Sequence, residues 1–402
     1  MNRRLRFCYV VPGHDLLTSI GPSRNVVNLA RALQPWADVT VAFHRIADPH
    51  PPADMRVLSI EPAEATGGVD DAAMKNVGYG EFLRSLRQLR HFVDTQLRDF
   101  DVVLEKSWLL SGYVSRLCNR RGQLAVPIEN IVPSPKHAAS GSLAKQLRVR
   151  AGRWLAGRCL RSAPLVIAET EFLKREIARY WHVAEQRIAV VDLGVDRQLF
   201  RPRPVAQARA ALGMDAAATV LLYVGVLDRT HNLEPVLRAL QGRALPGIEL
   251  HVVGDGFRAA EYRQIAADSR TRVVFHGRVP HDRVPEYIAA ADLCLAPYDA
   301  SAFSSGELGY STMKIPEYLS MGRAVASVPA GRTRMLIQDG VSGFLFDNSV
   351  TAWQQFLGAL PARPRLAQMG DAAAAQKLPG WEDTARRYFD LTTALLGQRV
   401  AA

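Results

Sequence analysis

The segment Ser311-Thr312-Met313-Lys314-Ile315-Pro316-Glu317-Tyr318 sets a cation and a carboxylate three residues apart, where a polar loop meets a short helix. That combination can hold a nucleotide sugar. Unpaired backbone N–H groups and the Lys314 ammonium suit a diphosphate, and the Glu317 carboxylate suits a ribose hydroxyl. The same residues also suit a surface helix with a capped start and an i,i+3 charge pair.

Other residues could share that chemistry. Arg229 and His231 lie in a polar loop between the apolar run TVLLYVGV (219–226) and a helical pattern near Leu233. Strand-loop-helix junctions of this kind bind phosphates in doubly wound domains, although solvated charge on a plain loop is the alternative. Gly254 and Gly256, in VVGDG, let backbone approach a ligand closely, or make a simple turn. The loop from Pro297 to Ser311 is rich in Gly, Ser and acidic residues and follows a strand's carboxyl end, where open α/β sheets bind ligands.

These residues need a scaffold, and the apolar pattern supplies one. Runs at 6–11, 38–43, 55–60, 101–105, 123–128, 165–168 and 188–191 are short and near-continuous, as strands of a parallel sheet buried on both faces are. Helical patterns at 23–36 and 80–100 lie between them. A polar stretch with prolines at 192–213 reads as a linker. Beyond it the alternation restarts with strands at 219–226, 248–254, 272–277, 292–297, 323–328 and 343–346. The fold class expected is α/β, two Rossmann-like domains facing a cleft. The expected boundaries are 1–195 for an acceptor-side domain, 196–379 for a donor domain, and 380–402 for a helix packing back towards the first domain.

With 402 residues, two domains are the natural expectation. The net charge of +11 favours an anionic partner. Nucleic acid is not expected, because no RNA- or DNA-binding motif is present. Cys8, Cys118, Cys159 and Cys294 are scattered and form no CxxC pair, which suggests free thiols in a reducing compartment. The apolar run after the basic start, Phe7 to Val11, is too short for a signal peptide and reads as a first strand.

The order YVGxL, VVGDG, VxFxGxVPxxxVPxYxAxADLCLxP, K-x-x-E-Y-x-x-x-G and DGxSGFLF resembles the retaining glycosyltransferases of family 4, which have the GT-B fold. LGVDRQLFRP (193–202) is similar to that family's interdomain signature. The resemblance implies that Glu317 holds the ribose of a nucleotide diphosphate sugar; a UDP-linked sugar is favoured, with a GDP-linked one as the alternative. The first Glu of the family's E-x7-E motif falls at Gly309, and Glu307 is out of register. A variant motif, S-x-x-K-x-x-E-Y, matches Ser311, Lys314, Glu317 and Tyr318, which implies that Lys314 and the backbone of Ser311, Thr312 and Met313 meet the diphosphate or sugar. The family's Arg and Lys after the donor-domain strand fall at Val226 and His231, leaving Arg229 as the replacement cation. In the first domain the Gly-rich loop is reduced to Gly21 before a helix, with Pro22 supplying no N–H. Glu105, Lys106, Glu129 and Asn130 stand at strand ends and resemble a subgroup pattern there, with structural hydrogen bonding as the alternative. Cations in place of a metal are implied, so no metal or other cofactor is expected. The rivals are a sugar-nucleotide epimerase of the same fold and a non-catalytic, membrane-associated GT-B protein.

Between Asn130 and Ala168 there is no Asp or Glu. Lys136, Lys145, Arg148, Arg150, Arg153, Arg158 and Arg161 lie there with Leu147 and Trp154. A basic amphipathic helix with Trp suits an anionic bilayer surface. A domain helix with solvated Arg heads is the alternative. The expectation is a cytoplasmic enzyme, peripheral on the inner face of the cell membrane, acting on a glycan, lipid-linked or small-molecule acceptor.

Overall fold

The computed structural model describes residues 3–18, 21–61, 79–108, 110–130, 143–302 and 307–401. The chain divides into two compact units. Unit 1 comprises Met1–Gly194, Gly309–Ser311 and Trp381–Ala402, and unit 2 comprises Val195–Leu308 and Thr312–Gly380.

Among the described residues, unit 1 holds seven strands: β1 (Leu5–Val11), β2 (Ala37–Phe43), β3 (Arg56–Ser59), β4 (Val102–Lys106), β5 (Leu124–Glu129), β6 (Val166–Ala168) and β7 (Ile188–Val190). They form one sheet in the order β3-β2-β1-β4-β5-β6-β7, parallel throughout. β1 and β4 are buried almost end to end, which explains why their runs do not alternate. The helix Trp381–Ala401 packs on the helix Gly21–Leu33. Phe389 of the former lies 6.1 Å from the rings of both Phe7 and Trp36.

Unit 2 holds six strands: β8 (Thr219–Val224), β9 (Ile248–Val253), β10 (Arg272–Gly277), β11 (Leu293–Ala296), β12 (Ala324–Ser327) and β13 (Gly343–Leu345). Their order is β10-β9-β8-β11-β12-β13, again parallel. Strand order reverses between β8 and β11, so the loops leaving these two strands open a crevice at their carboxyl ends.

Two expectations are corrected. The 192–213 stretch contains a helix, Val205–Leu212, anchored by the buried Arg209. Arg209 donates to the carbonyls of Ala290 and Ala218 at 2.9 and 2.8 Å and pairs with Asp292 at 2.5 Å. The helix after β1 starts at Gly21 and ends at Leu33 rather than running 23–36. Pro22 thus sits in the first turn, where an N–H has no intrahelical partner to lose, and Pro35 ends the helical register. All four cysteines are buried free thiols. No helix among the described residues is long and apolar enough to cross a membrane.

Candidate functional site

The site in unit 2 begins with Tyr318. Its hydroxyl accepts from the Val224 N–H at 2.9 Å and donates to the Val224 carbonyl at 3.3 Å. These bonds fasten the helix Lys314–Ser320 to the end of β8. Lys314, first residue of that helix, is thereby delivered to the crevice. Its Nζ lies 4.4 Å from the ring centroid of Tyr223 and 5.5 Å from that of Tyr298. Its hydrogen bond is a long one, 3.5 Å to the Tyr223 hydroxyl, and no carboxylate pairs with it among the described residues. Gly225, at φ 148°, makes the space: a Cβ there would stand 2.5 Å from Nζ.

Burial pulls the Lys314 pKa down to about 7, against the opposing pull of Asp228 and Glu317. His231 is also lowered, first by burial and then by the Lys314 charge, so its imidazole is neutral at pH 7. Asp228 orients that ring, accepting from the His231 backbone N–H at 2.7 Å and lying 3.0 Å from Nδ1. Burial works to raise the Asp228 pKa, but His231 and Lys314 together hold it below the usual range. The result is a pocket of cation and imidazole with aromatic walls, able to compensate an arriving polyanion.

One turn on, Glu317 is buried, with Oε1 3.3 Å from Nε2 of His281. Its Oε2 accepts no hydrogen bond among the described residues and can accept from a ligand hydroxyl. Thr312 bonds through Oγ1 to the Tyr298 hydroxyl, and Met313 precedes the helix. Arg229 is exposed and makes no hydrogen bond or ion pair among the described residues.

Several expectations change. Ser311 clusters with unit 1 and donates its hydroxyl to Asp192 at 3.0 Å, so it is not a free donor. Gly254 and Gly256 serve packing. A Cβ on Gly254 would overlap the Gly225 carbonyl oxygen, and one on Gly256 that of Leu227. The bare backbones instead allow the Gly225 N–H to reach Val253 O at 2.9 Å and the Leu227 N–H to reach Asp255 O at 3.0 Å. Glu307 is tied to Arg334 at 2.8 Å. Residues 303–306 of the 297–311 loop lie outside the described residues.

In unit 1, Glu105 is fully buried and accepts from Trp108 Nε1 at 3.0 Å and from the backbone N–H groups of Val114 and Ser115 at 3.2 and 2.7 Å. It closes the start of the helix Tyr113–Asn119, a structural role that replaces the catalytic one expected. Glu129 is equally buried, with Oε2 3.2 Å from the Ser111 hydroxyl and Oε1 without a partner. Burial pushes its pKa well up, which favours the protonated carboxyl over the carboxylate a base would need. The buried Lys106 lies 3.8 Å from Glu169, and Asn130 pairs with the Ser107 hydroxyl. Gly21 opens its helix with free space around it. On the helix Leu143–Ser162, Leu147 and Trp154 are 63% and 64% exposed, Arg150 is exposed and Arg153 half-buried. The side chains of Lys145 and Arg148 lie outside the described residues, as does Lys136.

Residues 21–199 match the family described as Glycosyltransferase Family 4, and residues 218–360 match Glycosyl transferases group 1. Together the two matches span most of the chain. Among curated proteins, this chain is 29% identical over 316 residues to a D-inositol 3-phosphate glycosyltransferase of Segniliparus rotundus, covering 74% of this chain and 67% of the relative. A second such protein, from Thermobispora bispora, is 28% identical, covering 74% and 71%. Among solved structures, the sucrose-phosphate synthase of Thermosynechococcus elongatus superposes with a TM-score of 0.74 at 19% identity, over 98% of this chain and 100% of that one. Anabaena HepE, crystallised with UDP-glucose, gives 0.71 at 18% identity, over 97% and 100%. These likenesses show the fold: the chain has the GT-B architecture.

Sequence reasoning does not reach four residues of the candidate site: Tyr223, Asp228, Tyr298 and His281. Tyr223 and Tyr298 read as ordinary apolar residues at a strand end and just past one. His281 lies within the VPHDRVP repeat of prolines, whose middle positions carry no spacing signal toward Glu317.

Proposed function

We propose that this glycosyltransferase is a retaining enzyme that moves a hexose from a nucleotide diphosphate sugar, with UDP favoured over GDP, to a glycan or lipid-linked acceptor in envelope or exopolysaccharide assembly in the cytoplasm. The observation that carries the proposal is the Lys314 ammonium, held over the Tyr223 ring with no carboxylate paired to it among the described residues. Such a cation is placed for a diphosphate, whose charge grows as the bond to the sugar breaks. Lys314 stabilises the leaving phosphates, Arg229 reaches them from the rim, and neutral His231, its Nδ1–H held by Asp228, offers Nε2 as an acceptor to a donor hydroxyl. Glu317 accepts from the ribose. The acceptor attacks the face that the diphosphate leaves, which retains configuration. The UDP-glucose bound by HepE supports the donor class, and the inositol phosphate relatives support transfer to a hydroxyl. In this reading Lys314 and Arg229 supply the positive charge, and no metal is needed.

Calorimetric titration with UDP, GDP, dTDP and their sugars tests it, with Lys314→Ala and Glu317→Ala alongside. Tight binding of one nucleoside diphosphate, lost in both variants, is expected. Binding of none of them would sink the proposal. Product analysis then separates transfer from epimerisation, which releases the nucleotide without an acceptor.

A further inference from the structure

A second concentration of positive charge lies in unit 1, away from the donor residues in sequence and in fold. The helices Leu143–Ser162 and Glu171–Trp181 border an open groove of about 390 Å3. Its walls carry Arg153, Arg161 and Arg179 with the rings of Trp154, Tyr180 and Trp181. The first of these helices and its flanks carry no acidic residue from Asn130 to Ala168.

The three arginines are in different states. Arg161 donates to the Trp181 carbonyl at 2.8 Å, which caps the second helix. Arg179 is 76% exposed and touches Glu176 at 3.4 Å. Arg153 is half-buried, its guanidinium 4.2 Å above the Tyr180 ring, and it makes no hydrogen bond or ion pair among the described residues. Burial, with Arg150 nearby, pulls its pKa down, as expected of a cation lacking a counter-ion. Stacking fixes the plane of a guanidinium and leaves its N–H edge free for two-point contact with a tetrahedral oxyanion. His182, at the groove's rim, holds a left-handed φ of 55°, the single non-glycine in that region among the described residues. The exposed Trp154 ring adds apolar area beside the cations.

We propose that this groove binds a phosphate group, with Arg153 and Arg179 as its cations and Trp154 flanking the group that carries the phosphate. The phosphate is presented by a lipid headgroup at a bilayer or by a soluble phosphate ester. The inference stands on unit 1 alone and survives failure of the donor reading.

The test uses the full chain and two arms. One is flotation with phosphatidylcholine vesicles with and without phosphatidylglycerol. The other is calorimetric titration with inorganic phosphate and glycerol 3-phosphate. Arg153→Gln and Arg179→Gln are compared with Arg270→Gln, which removes the same charge from an exposed position of unit 2. Binding is expected in at least one arm, weakened roughly tenfold for a soluble phosphate or about fivefold for a vesicle in the two groove variants and unchanged in Arg270→Gln. The arm that responds identifies the source. No binding in either arm overturns the proposal. So does equal loss in all three variants, which would reflect bulk charge alone, or equal binding to neutral and anionic vesicles with no binding of either soluble phosphate. Arg179→Gln alters an exposed side chain and keeps the test open if Arg153→Gln fails to fold.

Discussion

Gly225 and Lys314 share one volume: the place where Gly225 lacks a Cβ is the place the Lys314 ammonium fills, 2.5 Å away. The end of β8 and the start of the helix Lys314–Ser320 are thus shaped for each other. The cation stands at a strand end because the glycine leaves room and because Tyr318 holds the helix there.

Gly225→Ala should therefore injure binding more than folding. The new methyl meets the far end of a flexible side chain, which can swing away. The positive φ adds strain of about 1–3 kcal/mol. UDP affinity should fall by roughly tenfold as the ammonium is displaced. Calorimetry and thermal melting check this, and a lower Tm with unchanged affinity would show that the Lys314 position does not matter to the ligand.

Binding of the nucleoside diphosphate should take up a proton above neutrality. Folded Lys314 titrates at about 7, against an ordinary 10.5. Between these values the unfolded chain holds the proton and the folded one does not. Lys314 therefore costs stability most fully below pH 7, and the cost fades as pH rises towards 10.5. A bound diphosphate restores the charge. Titrations at pH 8 in buffers of different ionisation enthalpy should show uptake of roughly one proton, with affinity falling from pH 7 to 9. Lys314→Met should abolish the uptake; its persistence there would assign the proton to another group.

Glu317 should make the enzyme sensitive to the ribose. The wild type should bind UDP roughly tenfold better than its 2′- or 3′-deoxy form, and Glu317→Ala should bind both alike. Discrimination that survives the substitution would remove Glu317 from ribose recognition.

The fold was legible because buried parallel strands leave unbroken apolar runs, and each of the thirteen strands among the described residues lies within or beside a run read from the sequence. Lys314 and Glu317 were legible as a motif. Their neighbours were not, since Tyr223, Tyr298 and His281 come together only through strand order. Gly254 and Gly256 illustrate the opposite error. Glycine reports that something approaches closely, and here it is the neighbouring loop. Glu105 looked like a free carboxylate at a strand end because its partners, two N–H groups of a helix start, have no signature in side-chain type.

Glu105→Ala should act on stability, leaving buried donors unsatisfied at a cost of about 1–3 kcal/mol each. Turnover per folded molecule should hold. Loss of turnover without loss of Tm would restore a catalytic role. Glu129→Gln should behave oppositely. The raised pKa of Glu129 means that stability falls as pH climbs above the ordinary carboxyl range, because the unfolded chain then gives up a proton that the folded one still holds. The variant should lose that slope and melt higher than wild type at alkaline pH. Melting curves across pH decide it.

Chelation should leave the proposed transferase active. With Lys314 and Arg229 supplying charge, EDTA should change nucleotide affinity by less than roughly twofold, and a tenfold loss would require a metal in the site.

The helix Trp381–Ala401 belongs to unit 1, although all of unit 2 is made before it. Phe7 and Trp36 wait for Phe389 throughout synthesis. The unit that emerges first from the ribosome is the last to be completed, and its early strands must be held in solution with an apolar face uncovered until that helix arrives. Trimming the helix would leave that face permanently bare, so aggregation of unit 1 should precede any defect in nucleotide binding by unit 2.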